Sequence, residues 1–389
     1  MSNLIKETDS IIKYRERIME FMEVLPYRVP PYNGRNWGHP WHSLCSYHGK
    51  LKPSIAYHLI SWFTQEGETV LDPMSGVGTI PFEASLQGRI GIGNDLSEMA
   101  YSVTKAKIKR PNREKVFELI NELDNFIETF KITYTQQQTP YSDFGMNGKL
   151  PEYFHPDTFS EILSARQFFL GRIHQFSPEE AFIFSCFLHV LHGNRPYALS
   201  RNSHPLTPYA PTGEFIYKNV VEHIKKKVEL SFKKGEWGNF KEGQAIFGDL
   251  FDLNTKVNNI DTIITSPPFF ASIRFYVSNW MRLWLSGWEP DDFKLAEQRF
   301  LEGKQKKNLN IYITFFELCY AILKEEGKLI LHLGKSDKCD MALELSKFAE
   351  PFFTVVHIVN ENVENLEKHG ISDKGATTDH QFLFLIKKK

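Results

Sequence analysis

From Glu68 onward the chain alternates short apolar runs with turns and helix-like stretches. TVLD leads through the glycine-containing turn PMSGVG into TIPFEASLQG and then the second apolar run RIGIGND. This succession predicts a strand, a crossover helix and a parallel strand. The same cadence returns late in the chain as AIFGDL, DTIITSPP followed by a helix, GKLILHLG, FFTVVHIVN and HQFLFLIKK. Together these give about seven strands in two blocks. Between the blocks, apolar positions recur only with helical spacing, in KVFELINELDNFIETF, FSEILSARQFFLGRIHQF and PEEAFIFSCFLHVLH, separated by Pro-, Asn- and Ser-rich loops. At the N-terminal side, a helical pattern gives way to PYRVPPYNGRNWGHPW, which cannot be a regular helix, and then to the amphipathic stretch KPSIAYHLISWF. The prediction is an α/β protein: a doubly wound, mostly parallel sheet with helices on both faces, formed by residues 1–100 and 241–389, with a mainly helical insertion at 101–240.

Composition narrows the function classes. With 389 residues, 42% hydrophobic and 24% charged, the chain can bury a large core and is neither fibrous nor disordered. A net charge of −1 means that contact with nucleic acid must come from local basic patches. Candidates are Lys225 to Lys227, Lys233 and Lys234. The cysteines Cys45, Cys186, Cys319 and Cys339 form no CxxC pair and no metal-knuckle spacing, so a reduced, cytoplasmic protein with no metal site is expected. The polar N-terminus is no secretory signal, and the apolar run Ala181 to Leu191 falls short of the roughly 20 residues that span a bilayer, so no membrane partner is expected.

Three strand-end constellations carry the chemistry. Asp72, Pro73, Met74, Ser75, Gly76, Val77, Gly78 and Thr79 lie where a strand meets a helix. Glycines there permit a tight turn and close approach of a ligand to free backbone N–H groups, although a ligand-free βα turn has the same composition. Asp95 ends the next strand, where an acid is placed to accept ribose hydroxyls or to cap a helix. The turn lacks the GxGxxG spacing and no P-loop lysine follows, which favours a nucleoside without pyrophosphate. After the strand DTIIT come Thr265, Ser266, Pro267, Pro268, Phe269 and Phe270. Consecutive prolines stiffen this turn and expose carbonyls that no sheet neighbour claims. Those carbonyls and the Ser266 hydroxyl suit the hydrogens of an amine, and an aromatic ring suits a planar base; a rigid strand cap is the plainer alternative.

Asp-Pro-x-x-Gly-x-Gly-Thr after one strand, an acid after the next and Ser-Pro-Pro-aromatic after a later strand together resemble the S-adenosylmethionine-dependent DNA amino-methyltransferases, which modify cytosine N4 or adenine N6. Ser46 and Lys50, in SYHGKLKP, are similar to the family's N-terminal cofactor motif. The resemblance covers roughly 43 to 110 and 243 to 388. It implies a Rossmann-like methyltransferase fold with a seven-stranded sheet and S-adenosylmethionine as cofactor. The Asp72–Gly78 loop would hold its amino-acid moiety, Asp95 its ribose and Asp249 its adenine amino group. Ser266 and the Pro267 carbonyl would orient the target amine, with Phe269 stacked on a base flipped from double-stranded DNA. Direct attack by an amine needs no covalent intermediate, and no cysteine sits in a strand-end Pro-Cys turn as carbon-5 methylation would need.

The chain departs from the family in carrying Phe269 where most relatives have tyrosine. Ser266 in the first position leans toward cytosine N4 over adenine N6. Arg195 and Arg201, in the insertion loop from His192 to Pro205, and Arg274 beyond the catalytic turn are expected to contact substrate. Trp280 and Trp284, near Arg274, read more readily as core. The insertion is the expected target-recognition region, the location cytoplasmic and nucleoid-associated, and a cognate restriction endonuclease is a candidate partner. Two other readings stay open: an RNA amino-methyltransferase, which usually carries Asn-Pro-Pro and an N-terminal RNA-binding domain, and a catalytically silent DNA-binding fold.

Overall fold

The computed structural model describes residues 9–34, 36–45, 49–132, 148–194, 196–205, 207–233, 235–270, 275–363 and 377–389. Its strands are β1 (Thr69–Asp72), β2 (Ile90–Asp95), β3 (Gln244–Phe247), β4 (Ile260–Thr265), β5 (Leu323–Ser336), β6 (Cys339–Asp340), β7 (Phe353–Asn362) and β8 (Thr377–Lys387). They form one sheet in the order β3-β2-β1-β4-β5-β8-β7, with the short β6 folded back on β5. Pairing from β3 through β5 is parallel, and β8 runs antiparallel between β5 and β7. This is the doubly wound, Rossmann-like sheet expected; β6 adds a two-residue bridge that its length hides from any periodicity.

Alternation along the strands assigns each face. Val70, Ile264 and Ile330 point to a core shared with the helices Asp9–Val24 and Pro53–Phe63. Leu71, Ile263, Leu329 and Leu331 point to the opposite core, covered by the helices Ile311–Ile322 and Met341–Ala349. Helices therefore lie on both faces, which is what continuous apolar central strands require.

The expected boundary at residue 100 falls within the helix Glu98–Ile108. Met99, Val103 and Ala106 of that helix share one buried cluster with the helices Arg113–Thr129, Pro156–Phe169, Pro178–Val190 and Val220–Phe232, with Val77 of the β1 turn and with Trp280 and Trp284. The helical region thus packs on both segments that carry the motifs. Two helices differ from the periodicity. FSEILSARQFFLGRIHQF ends its helix at Phe169, because Gly171 takes a left-handed conformation, and resumes only as the short turn Ile173–Gln175. Among the described residues, the single helix expected after the Ser-Pro-Pro turn is five, Phe275–Ser278, Trp280–Leu285, Pro290–Arg299, Leu301–Lys307 and Ile311–Ile322. Gly287, Pro290 and Asn308 interrupt the pattern there.

In sequence order β1, β2 and β3 build outward in one direction, and β4 and β5 in the other. The crevice of such a sheet opens at the carboxyl ends of β1 and β4, where the order reverses. Asp72 and Thr265 are the residues that end those two strands.

Candidate functional site

The β1 side of the crevice is held through the backbone groups of its turn. Gly76 N–H donates to Asp95 Oδ2 at 2.9 Å, Ser75 N–H to the Asn94 carbonyl at 2.8 Å, and the Thr104 hydroxyl to the Gly76 carbonyl at 3.1 Å. From below, the fully buried Lys107 donates to the Val77 carbonyl at 2.6 Å. Gly78 has φ +69°, and a Cβ there would lie 2.7 Å from Thr104 Oγ1, so both conformation and space demand glycine. Under the loop, His42 and Glu83 form a buried hydrogen bond of 2.6 Å, in which burial pushes Glu83 up to about 8 and His42 down.

Three carboxylates line the tips of β1, β2 and β3. Asp72 accepts from the Thr265 hydroxyl at 2.6 Å and from Met74 N–H at 3.1 Å. Burial raises its pKa to about 7 against the opposing pull of those donors. Burial likewise raises Asp95 to about 6, while the Ser97 and Gly76 N–H groups oppose it. Asp249 accepts from Phe251 N–H at 3.1 Å and lies 3.4 Å from Lys304 Nζ. Asn94 ties the strand tips together through Nδ2 to the Pro73 and Gly248 carbonyls, while its buried Oδ1 has no hydrogen-bond partner among the described residues.

The β4 side is built from side chains that come from distant segments. Ser266 Oγ lies 3.0 Å from His332 Nδ1 on β5. Gln305 Nε2 donates to the Pro268 carbonyl at 3.0 Å and is itself fixed by the Tyr312 hydroxyl at 2.9 Å. Pro268 is thus not open as expected: the sheet leaves its carbonyl alone, but a helix side chain claims it. Among the described residues nothing donates to the Pro267 carbonyl. The half-buried Phe269 ring lies against Gly334 of β5, where any Cβ would collide with it, and 5.4 Å from the His332 ring.

The fold brings Asp72, Pro73, Met74, Ser75, Gly76, Gly78, Thr79, Asp95, Asp249, Thr265, Ser266, Pro267, Pro268 and Phe269 to one end of the sheet. Lys50 sits behind the loop, donating to the His42 carbonyl at 2.8 Å, with burial lowering its pKa to about 8. Arg201 is committed elsewhere: its guanidinium donates to the Gly213 and Glu152 carbonyls and stacks 4.1 Å from the Phe215 centroid. Ser46, Arg195 and Arg274 lie outside the described residues. His332, Gln305 and Asn94 were not anticipated. His332 alone left a trace, as the one polar side chain inside the apolar run LILHLG.

No helix among the described residues is long and apolar enough to cross a membrane, and they contain no His/Cys/Asp/Glu group suited to a metal ion. Residues 40–133 match the model of the RMKL-like methyltransferase domain (UPF0020). No curated protein matches the chain in sequence. Among solved structures, TrmN from Thermus thermophilus superposes with a TM-score of 0.35 at 14% identity, over 90% of this chain and 52% of its own. The chain thus spans about half the length of that protein. The rRNA methyltransferase aviRa from Streptomyces viridochromogenes gives a TM-score of 0.34 at 10% identity over 88% of each chain. A methyltransferase from Pyrococcus furiosus gives 0.32 at 10% identity over 97% of this chain and 98% of that one. The fold assignment rests on the strand order rather than on these superpositions.

The methyl donor of such a domain is S-adenosylmethionine, and the residues at the crevice fit it. A ligand with a sulfonium, an ammonium, ribose hydroxyls and an adenine amino group is rich in positive charge and hydrogen-bond donors. Asp72, Asp95, Asp249 and the unpartnered Asn94 Oδ1 offer acceptors to those groups, and a cationic ligand favours the ionised forms of Asp72 and Asp95.

Proposed function

We propose that the chain transfers a methyl group to the exocyclic amine of a nucleobase, and that cytosine N4 in double-stranded DNA is the target. The observation that supports this most is the junction at the switch point. Asp72 of the cofactor turn is hydrogen-bonded to Thr265, the residue immediately before Ser266, so the two motifs act on one volume. When bound, S-adenosylmethionine supplies an electrophilic methyl group. The turn Asp72–Gly78, Asp95 and Asp249 hold it by its charged and hydroxylic groups. Ser266 Oγ and the Pro267 carbonyl accept the hydrogens of the target amine and leave its lone pair directed at the methyl, a positioning effect. Phe269 offers a face for the base, which must leave the helix to be reached.

A second reading, an amine in RNA, stays open because the matched methyltransferase-domain segment ends at residue 133, well before Ser266. It therefore supports the cofactor half alone and serves either polymer. The test is methyl transfer from labelled S-adenosylmethionine to unmethylated DNA and to total RNA, followed by nucleoside mass spectrometry. N4-methylcytosine in DNA is the expected product. N6-methyladenine would overturn the base, labelled RNA alone would overturn the polymer, and no labelled nucleoside in either would overturn the activity.

A further inference from the structure

We infer that His332 sets the hydrogen-bonding sense of the Ser266 hydroxyl and thereby makes the site demand a hydrogen-bearing nitrogen at the target position. This inference rests on the proposed amine methylation. His332 stands on β5 two residues from Gly334, on the same face of the strand, so one strand supports both the serine and the Phe269 ring of the catalytic turn. Its imidazole is 5% exposed. Rings surround it: Phe269 at 5.4 Å, His380 at 5.0 Å and Phe382 at 5.1 Å between centroids. That packing fixes the ring plane, and Nδ1 is left 3.0 Å from Ser266 Oγ, while Nε2 has no hydrogen-bond partner among the described residues.

A serine hydroxyl has one proton and two lone pairs. If Nδ1 accepts that proton, both lone pairs face away from β5 and accept only from donors such as an amine N–H. A ring nitrogen or carbonyl presented to the same spot would meet lone pair against lone pair, which is discrimination by repulsion. With the opposite tautomer the serine would offer its proton to the target and favour an acceptor. Burial favours the neutral imidazole, in which one ring nitrogen donates and the other accepts; we assign acceptance to Nδ1 and the proton to Nε2. During transfer the N–C bond forms as the S–C bond breaks, sulfur keeps the electron pair, and the nitrogen's surplus proton leaves to water. As positive charge develops on the nitrogen, its N–H to Oγ hydrogen bond strengthens, so the orientation acts on the transition state more than on binding. His332 is in this sense a positioning residue.

The test compares wild type with His332→Leu, His332→Asn, Ser266→Ala and the Ser266→Ala/His332→Leu double variant. Asparagine places an amide oxygen near the position of Nδ1. We expect His332→Leu to lower kcat roughly 10- to 100-fold with unchanged S-adenosylmethionine affinity and DNA KM. His332→Asn should recover most of the rate, and the double variant should be no slower than Ser266→Ala. A wild-type rate in His332→Leu, or losses that multiply in the double variant, would overturn the inference. Nitrogen NMR of the wild-type imidazole reads the tautomer without any variant: protonated Nε2 with unprotonated Nδ1 is expected, and the reverse would overturn it. A wild type that methylates no nucleobase amine would sink the proposed function instead, before any variant is compared.

Discussion

The two sides of the crevice are built on different principles. On the β1 side, what is held is the backbone of the turn from Pro73 to Gly78: its N–H and C=O groups bond to the Asn94 carbonyl and to the side chains of Asn94, Asp95, Thr104 and Lys107, all from β2 and the helix after it. On the β4 side, Ser266, Pro268 and Phe269 are placed by His332, Gln305 and Gly334, which come from later helix and strand segments. A loop held through its backbone groups by the adjoining strand and helix can serve any substrate that uses the same cofactor. A turn held by distant side chains can be retuned by changing those side chains. Binding of the cofactor and choice of the target amine should therefore separate under mutation.

The largest separation is expected at Ser266. Ser266→Ala should lower kcat about a hundredfold, because the amine loses its orienting acceptor, while calorimetry finds S-adenosylmethionine affinity unchanged. An equal loss of affinity would merge the two sides. Next comes Gly78→Ala, which forces a side chain into a left-handed conformation against Thr104. It should cost about 1–3 kcal/mol of stability, read as a lowered melting temperature. A melting temperature equal to wild type would remove the argument that this position requires glycine.

Asp72→Asn keeps the oxygen that accepts from Thr265, removes the charge and turns the other carboxylate oxygen into an NH2 donor. It should weaken S-adenosylmethionine binding about tenfold, as loss of an ionic hydrogen-bond partner does. The smallest effect is on pH. In the free protein Asp72 titrates at about 7 and Asp95 at about 6, and a cationic ligand prefers both ionised. Affinity should be full above neutrality and fall as pH drops through about 7 and then about 6, because protonation removes the attracting charge. The dependence near neutrality should flatten in Asp72→Asn. Affinity that rises on acidification would contradict the assignment of these carboxylates.

The contrast also explains what was legible in the sequence. The β1 turn, Asp95 and the parallel pairing of β1 with β2 can be read locally, because a short apolar run, a Gly-x-Gly turn and an acid fall within one βαβ unit. The Ser-Pro-Pro-Phe turn was legible as a rigid strand end, but its supports were not. His332 meets Ser266 across 66 residues, and Gln305 meets Pro268 across 37. Nothing in local periodicity encodes such pairings. Arg201 shows a related limit: a basic residue in a polar loop looks like a phosphate ligand, whereas the carbonyls of Gly213 and Glu152, outside that loop, take its donors. The helices between 275 and 307 were blurred because Trp280, Met281 and Leu283 to Leu285 are buried almost continuously, which leaves no polar face to mark where each one stops.

The most direct test of the two-sided crevice is titration calorimetry of S-adenosylmethionine into wild type, Asp72→Asn and Ser266→Ala under one set of conditions. The account predicts equal affinity for wild type and Ser266→Ala and a clear loss for Asp72→Asn. Unchanged affinity in Asp72→Asn together with a loss in Ser266→Ala would contradict it.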